Sequence, residues 1–144
     1  MNSGCKIVTV ERQLTAIIKA EAPFAKLPEV QRAARTTLQA VLPSLEAGPR
    51  GPTCTGWTRP ANGKLPMEIG MIVARSFEPK GEVVPSELPA GRAVRFLLKE
   101  PFDGLPGAWQ TLFEWCKAEE FTPAGTNWEI YGAQQDAELY ALLA

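Results

Sequence analysis

The sequence predicts an α+β fold of two tandem strand–helix–strand–strand units related by pseudo-twofold symmetry, with an antiparallel sheet, helices on one face and, on the other face, a ligand cleft between the halves. Three observations predict it. Apolar residues repeat with period two over several short runs and with period 3.6 over two longer ones. A polar stretch with Pro79, Gly81 and Pro85 divides the chain near its middle. The halves echo one another: Pro23-Phe24-x-x-Leu27-Pro28 matches Pro101-Phe102-x-x-Leu105-Pro106 at an offset of 78 residues (101 minus 23). Trp57 then falls opposite Tyr131, and Met67-Glu68-Ile69 opposite Ala137-Glu138-Leu139. Matches in the same order on both sides are the mark of a duplicated unit.

The elements follow in order. Ile7 to Ala20 alternates well enough for a strand or a bent pair of strands. Pro28 suits a first helical turn, and a helix is expected from there to Glu46, with Val30, Ala34, Leu38, Val41 and Leu45 as its buried stripe. Pro43 should kink that helix or end it early. Ala47 to Pro66 is rich in Gly and Pro and reads as a long loop, or as loosely formed strands around Cys54 to Thr58. Met67 to Val73 is a strand, which completes a first repeat over about residues 6–75. Residues 76–87 are the linker, and the second repeat runs over about 88–144 within one 144-residue domain. Its strand passes through Val94, Phe96 and Leu98. A helix follows from Pro106 to Glu120, striped by Trp109, Leu112, Phe113 and Cys116. Asn127 to Gly132 and Glu138 to Leu143 are the closing strands.

Composition narrows the function. A net charge of −1 with scattered Lys and Arg gives no basic stripe, so no nucleic acid partner is expected. No apolar run approaches the ~20 residues that span a bilayer, and Met1 to Cys5 is unlike a signal peptide, so a cytoplasmic protein without a membrane partner is expected. Cys5, Cys54 and Cys116 lack metal-ligand spacing, and the chain has no histidine. Neither a metal nor a cofactor is expected, and catalysis would fall to carboxylates, tyrosines, lysines or cysteines.

The strand around Asn127-Trp128-Glu129-Ile130-Tyr131 carries the candidate site. Alternation puts Glu129 and Tyr131 on one face and Trp128 and Ile130 on the other, with Trp128 expected to pack under the second helix. A carboxylate in so apolar a run is costly to bury uncompensated. Arg92, Arg95 or a backbone amide would satisfy it, or a ligand would. Glu68 reads equally as a solvated edge carboxylate or a second pocket acid. Trp57, in a Gly-rich segment, reads equally as a ligand-stacking ring or as plain packing. Trp109 is core by its position on the helix stripe. Cys54 and Cys116 read as apolar fillers. Glu138 reads as a surface residue opposite the buried Leu139.

Leu88-Pro89-Ala90-Gly91-Arg92-Ala93-Val94, Met67-Glu68-Ile69-Gly70-Met71-Ile72-Val73 and Trp128-Glu129-Ile130-Tyr131 followed by Glu138-Leu139-Tyr140 resemble the strand motifs of the GyrI-like small-molecule-binding domain. That family includes effector domains of multidrug-sensing regulators, gyrase-inhibitory proteins and small hydrolases. The resemblance covers about residues 7–144, leaves no room for a DNA-binding domain and implies a chain that stands alone. It implies a cleft whose glutamate is Glu129, with Tyr131, Trp57 and Trp109 as aromatic neighbours. Glu68 and Phe102 complete the expected ligand contacts. Glu100-Pro101-Phe102 stands where a His-x-Gly-Pro-Tyr-like run is usual, so that rim differs in shape. The ligand implied is an aromatic compound, cationic in some members, held around Glu129. The alternative is a hydrolase in which Glu129 activates water against cyclopropane-bearing genotoxins and Tyr131 steers the water or protonates the leaving group. A third reading is a protein-binding inhibitor of the gyrase type. The sequence leaves the oligomeric state open.

Overall fold

The computed structural model describes residues 4–99, 104–132 and 136–144. Eight strands and two α-helices follow one another along these residues: β1 (Cys5–Val10), β2 (Gln13–Ala22), α1 (Leu27–Val41), β3 (Arg50–Trp57), β4 (Leu65–Val73), β5 (Val83–Leu88), β6 (Gly91–Leu98), α2 (Leu105–Ala118), β7 (Pro123–Tyr131) and β8 (Ala137–Leu143). The fold is α+β, as the periodicities predict.

Local chemistry explains where the elements stop. Pro28 sits in the first turn of α1, Glu29 adds a carboxylate at its positive end, and Ala34 and Leu38 face the core. The helix ends at Val41 and tightens into a 3₁₀ turn at Leu42–Ser44, because the Pro43 ring cannot continue an α-helix. α2 closes differently. Glu120 adopts a left-handed φ of 62°, the Phe121 N–H donates to the Cys116 carbonyl at 2.8 Å, and the Glu120 N–H donates to the Lys117 carbonyl. That is a Schellman cap, and the apolar contact that accompanies it is Trp115 stacked on Phe121 at 5.6 Å. Phe113, expected on the buried stripe, is 39 % exposed, since Ala108, Leu112 and Cys116 hold the core-facing line of α2.

Of two stretches rich in Pro and Gly, the first takes the strand alternative of its sequence reading and the second departs from its reading as a linker. The Gly/Pro-rich segment after Ala47 contains β3, an ordered strand whose register slips between Arg50 and Thr53, at Gly51 and Pro52. The linker span carries β5 in its second half. β5 pairs only with β2, at the edge of the sheet, where Pro85 costs no ladder hydrogen bond on its outer side.

All eight strands form one antiparallel sheet in the order β1-β6-β8-β7-β3-β4-β2-β5. The trio β3-β4-β2 surrounds α1 in sequence, β7-β8-β6 surrounds α2, and the two trios meet where β3 pairs with β7. β1 precedes β2 in the chain yet lies on β6; β5 precedes β6 yet lies on β2. Only Glu11 and Arg12 separate β1 from β2, which holds those distant positions in the sheet within about 11 Å of each other. The connection from Leu88 to Gly91 imposes the same limit. The sheet must therefore curl.

Its two faces have separate cores. On the helical face, α1 packs with Ala16, Ile18, Met67 and Ile69, and α2 with Val94, Leu139 and Ala141. On the concave face Leu88, Ala93, Trp128 and Tyr140 pack with Val8, Val10 and Ile72. Trp128 thus lies away from α2, stacked on Tyr140 at 5.2 Å, contrary to its expected place under that helix. One glycine is obligatory: a Cβ on Gly70 would lie 2.0 Å from the Ala16 carbonyl oxygen, so β2 can cross β4 only there without a side chain.

Candidate functional site

The seam between the trios brings Glu129 of β7 directly opposite Thr55 of β3. Alternation then puts Tyr131 and Trp57 on the same face, and it is the helical face: Tyr131 packs in the core beneath α2, and the Trp109 indole of α2 reaches Glu129. The cleft expected on the face away from the helices is therefore misplaced. The acid lies between α1 and α2, because the other face of the seam is filled by Trp128 and Ile130.

Glu129 is 3 % exposed. Its Oε2 accepts the Trp109 indole N–H at 2.5 Å, and its Oε1 accepts the Tyr131 hydroxyl at 2.6 Å. No described residue forms an ion pair with it, and the counter-charge of Arg35 reaches it indirectly. Arg35 of α1 donates through Nη2 to Thr55 Oγ1 at 2.7 Å, and Thr55 lies 2.8 Å from the Tyr131 hydroxyl. A phenol has one hydrogen; with that hydrogen on the carboxylate, Thr55 must donate to Tyr131. The result is a one-way chain from guanidinium through two hydroxyls to the acid. The guanidinium also lies over the Tyr131 ring, 5.2 Å from its centroid.

Burial dominates the titration of this group. Loss of solvent pushes the Glu129 carboxyl above its ordinary value, and the Tyr131 and Trp109 hydrogen bonds and the Arg35 charge pull it back in part. Burial and the adjacent carboxylate hold the Tyr131 phenol well above 10, so it stays protonated. Trp57 meets Trp109 edge-on at 5.4 Å, and Trp109 stacks on the exposed Phe113 at 5.5 Å. Trp109 is half-buried and covers the acid like a stopper.

Four of the expected residues thus converge: Glu129, Tyr131, Trp57 and Trp109. Glu68 does not join them. It pairs with Gly56, one residue out of phase with Thr55, so it lies on the concave face, where its Oε1 accepts the Ser86 hydroxyl at 2.5 Å. Phe102 falls outside the described residues. Arg92 and Arg95 are not the partners of Glu129; Arg95 instead stands opposite Tyr140 in the β6–β8 register, and the Tyr140 phenol is pushed up to about 12 by burial and by Glu138. Glu138 is accordingly engaged, accepting the Tyr140 hydroxyl at 2.5 Å.

Sequence reading missed Thr55 and Arg35. Thr55 stands two residues before Trp57, and that spacing placed it on the same face. Arg35 adjoins the buried Ala34, but nothing local in α1 points to β3. Cys54 fits its reading as a filler: it is 1 % exposed, and burial pushes its thiol up to about 12. Among the described residues no cluster of three acidic, cysteine or histidine side chains could hold a metal ion, and no helix is long and apolar enough to cross a membrane.

Comparison with solved structures supports the fold over nearly the whole chain. The EcmrR chain of an EcmrR–DNA complex superposes with a TM-score of 0.80 at 16 % identity, covering 96 % of this chain and 56 % of EcmrR. The chain therefore spans a little over half the length of that protein. A hydrolase from Listeria innocua superposes with a TM-score of 0.67 at 11 % identity, covering 97 % of this chain and 91 % of its own. SAV2435 bound to tetraphenylphosphonium gives 0.66 at 11 % identity, covering 97 % and 93 %. At such identities these likenesses establish shared fold alone. No curated protein sequence matches the chain. The sequence profile of the GyrI-like small molecule binding domain matches residues 4–140, and on that match the chain belongs to the GyrI-like family.

Proposed function

We propose that this protein binds a small aromatic compound, preferentially a cation, in the cleft between α1 and α2, with Glu129 as its charged contact. One observation carries the reading: a carboxylate 3 % exposed is held by neutral donors and has no ion pair among the described residues. A cationic ligand would replace the Trp109 N–H at Oε2 as the indole swings aside. Its rings would stack against Trp57 and the displaced Trp109, since Arg35 already covers Tyr131. Membership of a small-molecule-binding family and the tetraphenylphosphonium held by SAV2435 favour the same chemistry.

The test is a tryptophan-fluorescence titration with tetraphenylphosphonium and with neutral triphenylphosphine oxide. The wild type should prefer the cation, and Glu129→Gln should lose that preference while binding the neutral compound as before. Equal affinity of wild type and Glu129→Gln for the cation ends the reading.

A hydrolytic use of the same cleft has one specific feature behind it, the burial of Glu129, which raises its carboxyl above the ordinary value and makes its carboxylate a stronger base than a solvated one. In that reading the carboxylate takes a proton from water and the water oxygen bonds to a cyclopropane carbon. The strained carbon–carbon bond breaks, and its electron pair passes into the conjugated system, which is then protonated from solvent. Tyr131, whose phenol resists ionisation, steers the water and keeps its proton. Incubation with a cyclopropane-bearing DNA alkylator, followed by mass spectrometry, decides this: turnover gives a product one water heavier and disappears in Glu129→Gln, whereas unchanged compound rules hydrolysis out.

A further inference from the structure

We propose that the concave face of the sheet holds a second ligand site, which borders the Glu129 cleft at Trp57 but does not use its acid, and which takes a small amine with an apolar body. The curl of the sheet leaves a trough there of about 300 Å³, at the low end of the range for small-molecule sites. Its walls include Ile17, Leu88 and Trp128. Against this apolar lining stand two polar groups.

Thr15 is 1 % exposed, lines the trough, and its Oγ1 has no hydrogen-bond partner. Buried hydroxyls are normally satisfied, so an orphan facing a cavity marks a place where a partner belongs. Glu68 is the second. Its Oε1 accepts the Ser86 hydroxyl, and no described residue forms an ion pair with it, although Lys19 stands opposite it in the strand register. Ser86 in turn stands opposite Thr15, and directly opposed side chains on one face have Cβ atoms about 5 Å apart. The acid and the orphan hydroxyl are thus joined through Ser86 into one polar corner of a greasy trough.

Charge decides the ligand class. Glu87, also at the trough, is paired with Arg12 at 3.2 Å, and Lys19 is exposed at the rim. Glu68 is the acid left to the occupant. An ammonium offers three donors and no acceptor, which suits a carboxylate oxygen and a hydroxyl together. Space for the apolar body is built in at Gly56, where an added Cβ would meet nothing closer than 3.8 Å and where φ makes no demand for glycine.

The experiment is an NMR titration of the full chain with 2-phenylethylammonium, and with 2-phenylethanol as its uncharged counterpart. The ammonium should give saturable amide shifts at Thr15, Gly56 and Trp128, retained in Glu129→Gln. Glu68→Gln should weaken the ammonium about tenfold and bring it level with the alcohol. Gly56→Leu, which fills the trough, should abolish the shifts while keeping a dispersed spectrum. The proposal is overturned if the shifts are absent in the wild type at millimolar probe, if they vanish in Glu129→Gln, or if Glu68→Gln binds the ammonium as well as the wild type. The Glu68→Gln comparison holds even if Gly56→Leu fails to fold.

Discussion

Trp109→Phe should make the protein less stable and a better receptor for cations. The substitution keeps a ring against Trp57 and Phe113 but removes the N–H that sits 2.5 Å from Glu129 Oε2. A hydrogen bond to a charged group contributes about 1.5–3 kcal/mol. Because Trp109 is only half-buried and water can reach the vacated oxygen, the lower end applies, about 1.5 kcal/mol. Urea unfolding should show that loss as a lower midpoint with an unchanged slope. The affinity for tetraphenylphosphonium should move the other way. In the proposed binding mode the ligand displaces the indole N–H of the wild type, whereas in the variant the oxygen is free. The same 1.5 kcal/mol then appears as a gain of about tenfold in affinity. Tighter binding without loss of stability, or loss of stability with no change in affinity, would refute the idea that indole and ligand compete for one oxygen.

Glu129→Gln should change the pH dependence of folding. Burial raises the folded-state pKa of Glu129 above its ordinary value, so its contribution is most favourable at low pH and is lost as pH rises through the raised value. Glutamine cannot ionise; its stability relative to wild type should therefore improve as pH rises above about 4, by about 1.4 kcal/mol for every tenfold by which burial weakens the acid. A pH-independent difference in calorimetric or urea measurements would contradict the assignment. Gly70→Ala forces a Cβ to within 2.0 Å of the Ala16 carbonyl oxygen and should destabilise the fold by about 3 kcal/mol or more, or abolish expression; an unchanged melting temperature would show that β2 and β4 can part there. Cys54, with its thiol pushed up to about 12 and 1 % exposed, should resist iodoacetamide at pH 8 in the native protein and react in guanidinium.

The sequence carried the elements more readily than their assembly. Period-two alternation was enough to set Glu129 beside Tyr131, because successive side chains of a strand must point to opposite faces. It could not say which face receives the helices. That inference works when one face is polar, and here Trp128 and Ile130 are as apolar as the residues under α2. The strands β3 and β5 were obscured for a different reason. Proline and glycine argue against a central, regular strand, but Pro52 lies at a register slip and Pro85 on an edge, the two settings in which a sheet tolerates proline. Arg35 was hidden because its role depends on the β3–β7 pairing across 76 residues of chain between Thr55 and Tyr131.

The way Glu129 is held bears directly on what it can bind. Had Arg35 paired with it, an incoming cation would have to break a buried ion pair and strand a guanidinium, a loss of about 3–5 kcal/mol. Two neutral donors impose a smaller barrier, and the chain through Thr55 and Tyr131 keeps the guanidinium at a distance while still lowering the carboxyl pKa. The chain also has a direction. Every hydroxyl hydrogen points toward the acid, so a ligand that donates to Oε2 leaves the Arg35–Thr55–Tyr131 sequence intact, whereas one that donates to Oε1 would have to turn it around. Exchange is therefore cheaper at the indole than at the phenol. In the proposed binding mode, that asymmetry makes Trp109 the residue to yield to a ligand and Tyr131 the one to stay.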